Sequence, residues 1–253
     1  MSKESGSKGS ESREFEIVRE FEVDASPEQV WEAITTGTAG WLWPLEYEPK
    51  QGGAAPFGGT VTVWDPPHRL TGRTENVEGI AQQTFNQLDH VIEPLVDGGC
   101  RVRYVHSGIF VEDWDNQYDG ASKHTDFYLH TLRQYLTHFT GRLAAYASVD
   151  APGASTAADA LDVVSRGLGL PDDATEGATV RIDLPGTGTA DAVVDYRNRY
   201  FVGLRTGDAM YRLFGRNHFG APVGVSVHDF APGADPAKTE SAWRTRLEAL
   251  FAQ

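Results

Sequence analysis

The feature that most constrains the fold of this chain is a long amphipathic segment near its centre, preceded by several short alternating runs. Its apolar residues recur at three- and four-residue steps: Tyr128, Leu132, Tyr135 and Phe139. This spacing predicts a helix over about residues 122–146. A helix of this length with one apolar face needs a broad apolar partner, and the preceding runs supply one if they form a sheet. The sequence therefore predicts an α+β protein.

The runs before this helix have the alternation typical of strands with one buried face. Residues 13–23 place Phe15, Ile17, Phe21 and Val23 on one side. A short helix is predicted next, because Ser26 can cap it and Pro27 suits its first turn. Further strands are predicted over residues 45–48, 59–64, 69–76, 84–93 and 100–106. Turn sequences such as Asp97-Gly98-Gly99 join them, so we predict an antiparallel meander.

The remainder of the chain repeats this order in abbreviated form. A helix is predicted near residues 157–166, five strands between residues 178 and 229, and a terminal helix over 236–251. Small residues and a Pro-Gly pair make residues 151–158 the best candidate linker. We therefore predict a disordered tail (1–12), a first domain (13–150), a linker (151–158) and a second, degenerate α+β unit (159–253).

Composition and charge exclude several classes of partner. The formal net charge of -14 opposes binding to nucleic acid, because the phosphate backbone attracts clustered Lys and Arg. No run approaches the roughly 20 apolar residues that span a bilayer, which predicts no membrane insertion. The single cysteine, Cys100, cannot form an internal disulfide, and the first residues lack the apolar core of a secretory signal. These features predict a cytoplasmic protein.

Three motifs carry a resemblance to a known family. They are residues 26–35 (Ser-Pro-Glu-Gln-Val-Trp-Glu-Ala-Ile-Thr), residues 64–70 (Trp-Asp-Pro-Pro-His-Arg-Leu) and residues 101–108 (Arg-Val-Arg-Tyr-Val-His-Ser-Gly). In this order they resemble the START-related (SRPBCC, Bet v-like) superfamily, nearest to its heat-shock-protein-90 ATPase activator homologue branch. The resemblance covers about residues 13–147. It implies a helix-grip fold, in which a curved antiparallel sheet holds a long C-terminal helix around a cavity, followed here by a degenerate second unit of the same kind.

The resemblance leaves three interpretations of function open. The first is a binding protein for a small hydrophobic molecule, with a chaperone-cofactor-like role and a protein partner allowed by the family branch. The second is an enzyme of the polyketide aromatase or cyclase kind, in which cavity side chains move protons. The third is an interaction protein whose second half closes the cavity. We favour binding over catalysis, and assign no catalytic residue.

Candidate ligand-binding residues were chosen for their position and chemistry. Alternation places His106 on the face of its strand that also carries Tyr104, and so toward the helix. Trp43 and Phe57 flank Gly- and Pro-rich segments, where the mouth of such a fold is expected. The full predicted set is Trp43, Glu46, Phe57, Arg73, Phe85, His90, Tyr104, His106 and Tyr128.

No cofactor or metal is predicted. Asp126 and His130 stand four residues apart on the long helix, but no further carboxylate or cysteine cluster converges on them in the sequence. The Gly-rich stretches near residues 52 and 58 lack the Gly-Lys-Ser/Thr continuation of a phosphate-binding loop.

Overall fold

The structure is a computed structural model that describes residues 12–75, 83–96, 98–110 and 113–252. The chain divides into two compact units. The first comprises residues 1–36 and 45–126, and the second comprises residues 37–44 and 127–253. The predicted disordered tail, apart from Ser12, lies outside the described residues.

The first unit is built on a six-stranded antiparallel sheet. Its strands are β1 (Arg13–Val23), β2 (Ala54–Ala55), β3 (Gly59–Asp65), β4 (Arg69–Glu75), β5 (Gln83–Pro94) and β6 (Cys100–Phe110). Their order across the sheet is β1-β6-β5-β4-β3-β2, so the first strand pairs with the last and the others follow in reverse. Helix α1 (Pro27–Ile34) follows β1, and helix α2 (Trp114–His138) follows β6. The part of α2 up to Asp126 belongs to this unit.

Helix α1 begins where the sequence predicts. The side chain of Ser26 accepts a hydrogen bond from the backbone N–H of Gln29, and the Gln29 side chain accepts one from the backbone N–H of Ser26. This reciprocal capping satisfies two N–H groups that would otherwise lack partners. The helix then buries Val30, Ala33 and Ile34.

One face of the first sheet, here called its inner face, carries Phe15, Ile17 and Phe110. These side chains form a buried cluster against Trp114, Tyr118 and Ala121 at the start of α2. Ile17 lies opposite His106 in the β1–β6 ladder, and His90 lies opposite Tyr104 in the β5–β6 ladder. Because side chains of a strand alternate between faces, all three of these polar residues share the inner face.

The second unit repeats this topology. Its strands are β7 (Ala145–Asp150), β8 (Thr179–Leu184), β9 (Gly188–Arg197), β10 (Phe201–Arg205), β11 (Ala209–Phe214) and β12 (Gly224–Asp229). Their order is β7-β12-β11-β10-β9-β8, again with the first strand beside the last. Helix α3 (Ala160–Gly167) follows β7 and helix α4 (Pro236–Leu250) follows β12. The predicted α+β class and a second helix-grip-like unit are therefore confirmed.

Strands β10, β11 and β12 of the second sheet are buried on both faces. On its inner face, Trp243 and Leu247 of α4 pack into a cluster with aliphatic residues of the strands. On its outer face, Phe201 and Phe214 form a cluster with Phe127 and the partly buried Tyr128 of α2. Every residue of β11 is consequently buried, which explains why its sequence is an apolar run interrupted by few polar residues.

Two predicted elements differ from the structure, the long helix at both of its ends and one short strand. Helix α2 begins at Trp114 rather than near residue 122, because Trp114 and Tyr118 bury apolar surface against the first sheet. It ends at His138 rather than near residue 146, and Gly141 follows in the left-handed conformation, with φ at 75°. Residues 45–48, predicted as a strand, have no regular secondary structure.

The predicted domain boundary also differs in its details. Residues 145–150, assigned to the first domain, form strand β7 and pair with β12 of the second sheet. The predicted linker contains a short 3-10 turn (Gly153–Thr156). Its Ser155 is buried, and the Ser155 hydroxyl oxygen accepts a hydrogen bond from the backbone N–H of Val223. In residues 145–150 the alternate positions Ala147 and Val149 are buried, as in a strand. The alternation is weak in the sequence because alanine is small.

Among the described residues, no helix is both long and apolar enough to cross a membrane.

Candidate functional site

The inner face of the first sheet carries a cluster of polar aromatic side chains. His90 and Tyr104 face each other across β5 and β6, with ring centroids 5.0 Å apart. His106 lies two residues after Tyr104 in β6, on the same face, and packs edge-to-face against Phe15. The centroids of these two rings are also 5.0 Å apart. The structure thus brings together three of the predicted ligand-binding residues.

Three of the four ring nitrogens of His90 and His106 are buried without a hydrogen-bond partner among the described residues. Neither ring nitrogen of His90, nor Nε2 of His106, has a partner in the part of the chain that the structure describes. Burial lowers the pKa of His90 to about 4, although the nearby Asp89 opposes the shift, and burial lowers the pKa of His106 to about 4. Both imidazoles are therefore uncharged at neutral pH.

Tyr47 adds a further polar group beside the same face. A Cβ at Gly72 of β4 would lie 3.7 Å from Cε1 of Tyr47, which places the phenol ring next to the centre of the sheet. Burial raises the pKa of Tyr47 to about 12, so this phenol keeps its proton. The inner face consequently presents uncharged donors and acceptors in apolar surroundings.

Two predicted residues lie on the opposite face of the first sheet. His90 lies opposite Leu70, whereas Arg73 lies opposite Gln87, so Arg73 points away from the histidine cluster. Phe85 shares that opposite face, and the Arg73 guanidinium carbon lies 4.0 Å from the centroid of its ring. Arg73 also forms an ion pair with Glu75, at 2.6 Å. These two residues therefore do not share a site with His90 and His106.

Glu46 and Phe57 lie in connections of the first unit. Glu46 is exposed in the irregular segment before β2. Phe57 is 58% exposed and has a φ of 60°, a left-handed conformation that is costly for a residue with a side chain. The assignment of these two residues to a binding site stays a prediction.

A cavity of about 20 Å³ lies at the outer face of the second sheet. Two predicted residues line it, Trp43 and Tyr128, whose ring centroids are 5.5 Å apart. Burial raises the pKa of Tyr128 to about 12, with Arg216 opposing the shift. The other lining residues were not predicted: Trp41, Leu42, Thr131, Tyr146, Arg212, Phe214, Arg216, Ser226 and His228.

A buried ion pair forms one wall of this cavity. Arg212 Nη1 donates to Asp195 Oδ1 at 2.6 Å, and the two side chains are only 1% and 3% exposed. His130 Nε2 lies 3.3 Å from the same oxygen. Burial by itself raises the pKa of Asp195, but Arg212 and His130 outweigh it and hold that pKa below its usual value. Gly203 lies between the pair, where a Cβ would collide with both side chains.

His228 and two hydroxyl groups lie beside Arg212 on the same sheet face, where Ser226 pairs with Arg212 in the β11–β12 ladder. His228 Nδ1 lies 2.8 Å from the carbonyl oxygen of Ala39, so Nδ1 is the donor. Burial lowers the pKa of His228 to about 3, with Arg212 adding to the shift and the Ala39 carbonyl opposing it. The ring is therefore neutral and Nε2 carries a lone pair. The hydroxyls of Tyr146 and Ser226 lie 3.1 Å apart.

The sequence held a signal for this second cavity. Arg212 interrupts the apolar strand β11, and a charged residue is rarely placed in a fully buried strand without a partner. Ser226 and His228 occupy alternate positions of β12, and so share one face. Sequence reasoning missed these residues because it treated the second unit as a degenerate copy without a site of its own.

Among the described residues, no group of three or more His, Cys, Asp or Glu side chains is placed to hold a metal ion. Asp126 instead pairs with Arg19, at 2.5 Å, and His130 contacts Asp195.

Solved structures similar to this chain fall into two groups by coverage. DynU16 of the dynemicin biosynthetic locus and the di-domain ARO/CYC BexL of the BE-7585A pathway each cover 94% of this chain and 96% of their own. Both are 14% identical to it, with TM-scores of 0.41 and 0.40 respectively. Protein MLL2253 from Mesorhizobium loti covers 49% of this chain and 98% of its own, at 21% identity and a TM-score of 0.41.

Comparison with curated proteins finds no match. Residues 24–137 match a family model described as activator of Hsp90 ATPase homolog 1-like protein. The matched segment begins just after β1 and ends one residue before the end of α2, so it includes the histidine cluster. Over this segment, slightly less than half of its length, the chain is similar to the activator of Hsp90 ATPase homolog 1-like proteins, in agreement with the START-related, helix-grip resemblance of its motifs.

Proposed function

We propose that the first unit binds a small, uncharged and largely apolar molecule against the inner face of its sheet. His90, Tyr104 and His106 provide the polar contacts. The observation that carries this proposal is the lack of partners for both ring nitrogens of buried His90 and for Nε2 of His106, within the described residues. A buried polar atom without a hydrogen bond costs about 1–3 kcal/mol, so a ligand that supplies one binds there favourably.

The charge state of the cluster indicates the chemistry of the ligand. The pKa values of His90 and His106, both about 4, leave these side chains neutral at pH 7. Tyr47 is neutral as well, since burial raises its pKa to about 12. A charged ligand would lose its hydration without gaining an opposite charge, whereas a hydroxyl or carbonyl group would gain hydrogen bonds. The apolar remainder gains roughly 25 cal/mol for each Å² removed from water.

The low pKa values of His90 and His106 also favour binding over proton transfer. A general base works best when its pKa lies near the operating pH, and a pKa of about 4 makes each imidazole a weak base. The aromatase or cyclase interpretation therefore ranks second. A chaperone-cofactor-like role and a protein partner stay predictions from the family branch.

A matched pair of probes tests the proposal. We expect 2-naphthol, a neutral aromatic alcohol, to bind the full chain in calorimetric titration, and 2-naphthoate to bind far more weakly because it is charged. His90→Leu should weaken 2-naphthol binding by about tenfold, the equivalent of one lost hydrogen bond of about 1.4 kcal/mol. His68→Leu is the control, since His68 is exposed.

Two results would contradict the proposal. One is equal affinity for 2-naphthol and 2-naphthoate, which would show that the neutral histidines do not select the ligand. The other is binding of 2-naphthol that His90→Leu leaves unchanged. Native mass spectrometry of the protein purified from its own host would then identify any natural ligand that copurifies.

A further inference from the structure

The cavity of the second unit lies on the sheet face that α4 does not cover. Its lining includes two guanidinium groups, those of Arg212 and Arg216, and no carboxylate. Each guanidinium is paired with one carboxylate, Asp195 or Asp150, that does not itself line the cavity, so the cavity presents N–H donors and no acidic oxygen. The residues that line it belong to the second unit, so the cavity is separate from the histidine cluster of the first.

Both guanidinium groups keep donors beyond those used by their carboxylate partners. A guanidinium has five N–H donors. Arg212 uses Nη1 for Asp195 and directs Nη2 to the sulfur of Met210 at 3.0 Å, a weak acceptor, while its Nε has no partner among the described residues. Arg216 uses Nη1 for Asp150, at 2.7 Å. An anion in the cavity would accept from donors that are otherwise poorly satisfied.

The neutral groups of the cavity also suit an anion. The hydroxyls of Tyr146 and Ser226 lie 3.1 Å apart and can rotate to donate toward an acceptor. Trp41, Trp43 and Phe214 provide apolar walls that exclude water and strengthen charge-assisted hydrogen bonds. His228, whose Nε2 is an acceptor, also lines the cavity, so it would favour a bound group that is small or carries a proton.

Size limits the occupant. A cavity needs roughly 10–15 Å³ to hold one water molecule, so about 20 Å³ admits a halide or a carboxylate group but not an aromatic ring. Arg216, whose side chain is 31% exposed, is the lining residue through which the remainder of an organic acid could reach solvent.

We propose that this cavity is a second binding site, specific for a small monoanion: either the carboxylate of an organic acid or an inorganic anion such as chloride. Arg212 and Arg216 supply the charge, and Tyr146 and Ser226 supply hydroxyl donors.

Calorimetric titration of the full chain with sodium acetate and with sodium chloride, at constant ionic strength set by a bulky sulfonate salt, tests this site. We expect saturable binding that is about tenfold weaker in Arg216→Gln and weakened to a smaller extent in Tyr146→Phe. Arg244→Gln is the matched control: Arg244 is also an ion-paired arginine of the second unit, bonded to Glu240, but does not line the cavity. Binding to this control should equal that to the unaltered chain.

The relative affinities for acetate and chloride distinguish the two kinds of natural ligand. Tighter binding of acetate identifies a carboxylate ligand, and tighter binding of chloride identifies an inorganic anion; either supports the site. Absence of saturable binding for both anions would overturn the proposal, as would equal weakening in Arg216→Gln and Arg244→Gln. If Arg216→Gln does not fold, Tyr146→Phe decides alone, together with a crystal of the unaltered chain in sodium bromide: an anomalous peak is expected in the cavity, and none there would refute the site.

Discussion

The two units share one topology but place their polar groups on opposite faces of the sheet. In the first unit, His90, Tyr104 and His106 lie on the inner face, where the terminal helix of this fold packs. In the second unit, Trp243 and Leu247 of α4 fill the corresponding face, and the polar residues Arg212, Ser226 and His228 lie on the outer face. The same strand order thus supports two different arrangements of core and site.

The difference shows that side-chain parity along each strand, and not topology, decides which face of such a unit carries its polar groups. A shift of one position along a strand moves a side chain to the other face. Burial of both faces of the central strands in the second sheet also changes the energetic role of the ion pair between Asp195 and Arg212. Asp195 and Arg212 are fully buried, whereas Arg69, which pairs with Asp89 on the outer face of the first sheet, is 47% exposed.

The largest expected effect separates these two ion pairs. Arg212→Met should destabilise the protein by about 3–5 kcal/mol, because it leaves the Asp195 carboxylate buried without its strongest partner. Arg69→Met should cost about 1 kcal/mol or less, since Arg69 is largely solvated and Thr71 still donates to Asp89 at 2.6 Å. Urea unfolding monitored by circular dichroism measures both free energies. Equal losses of unfolding free energy in the two variants would show that burial does not distinguish the two ion pairs.

Acid sensitivity is the next largest effect. The pKa of His90 and of His106 falls from the usual 6.5 to about 4 in the folded protein. Between these values the unfolded chain binds protons that the folded chain does not, so stability is complete above about pH 6.5 and is lost as the pH falls toward 4. Each histidine contributes on the order of 3 kcal/mol to this loss.

The second unit should lose stability over a wider range of pH, through His228, whose pKa falls to about 3. Urea unfolding at a series of pH values between 7 and 3 measures the losses. His90→Leu should reduce the loss between pH 6.5 and 4, whereas His68→Leu, at an exposed position, should not. An unchanged pH dependence in His90→Leu would contradict the neutral, buried state of this histidine.

Much of the fold could be predicted because its strands alternate strongly. The bounds of β1 and β11 match the predicted runs, and the turn near Gly98 and Gly99 connects β5 and β6 as expected. Strand β7 was missed because its buried positions, Ala147 and Val149, give a weak apolar signal next to a strongly amphipathic helix.

The site could be predicted only in part, for a reason of geometry. Alternation within a correctly located strand placed Tyr104 and His106 on one face. His90 was predicted only as a possible polar contact, and the pairing of β5 with β6 puts it on the same face. Arg73 and Phe85 were included because of their chemistry, but the register between β4 and β5, which places them on the other face, depends on pairings that no single strand encodes. Whether any of these residues contacts a ligand stays a prediction.

A glycine in each sheet provides a smaller, matched test. Gly203→Ala in β10 should cost about 1–3 kcal/mol, because the added Cβ would lie 2.5 Å from Arg212 Nη1 and collide with Asp195 as well. Gly72→Ala in β4, the corresponding strand of the first sheet, meets its nearest neighbours at 3.7 Å and should be neutral or stabilising by about 0.5–1 kcal/mol. The free energy of unfolding of each variant, compared with that of the unaltered chain, tests this prediction. If Gly203→Ala did not change the free energy of unfolding, the close contact between Gly203 and the buried ion pair would be contradicted.

The smallest expected effect on stability is at His90, and its sign is the informative result. His90→Leu removes two buried nitrogens that have no partner among the described residues and replaces them with apolar atoms, so stability at pH 7 should stay within about 1 kcal/mol or rise. His228→Leu should instead cost about 1–3 kcal/mol, since it leaves the carbonyl of Ala39 without its donor. Thermal unfolding and urea unfolding of both variants measure this contrast. A large loss in His90→Leu would mean that the imidazole stabilises the first unit by itself, and the reason for expecting a ligand at the inner face would be removed.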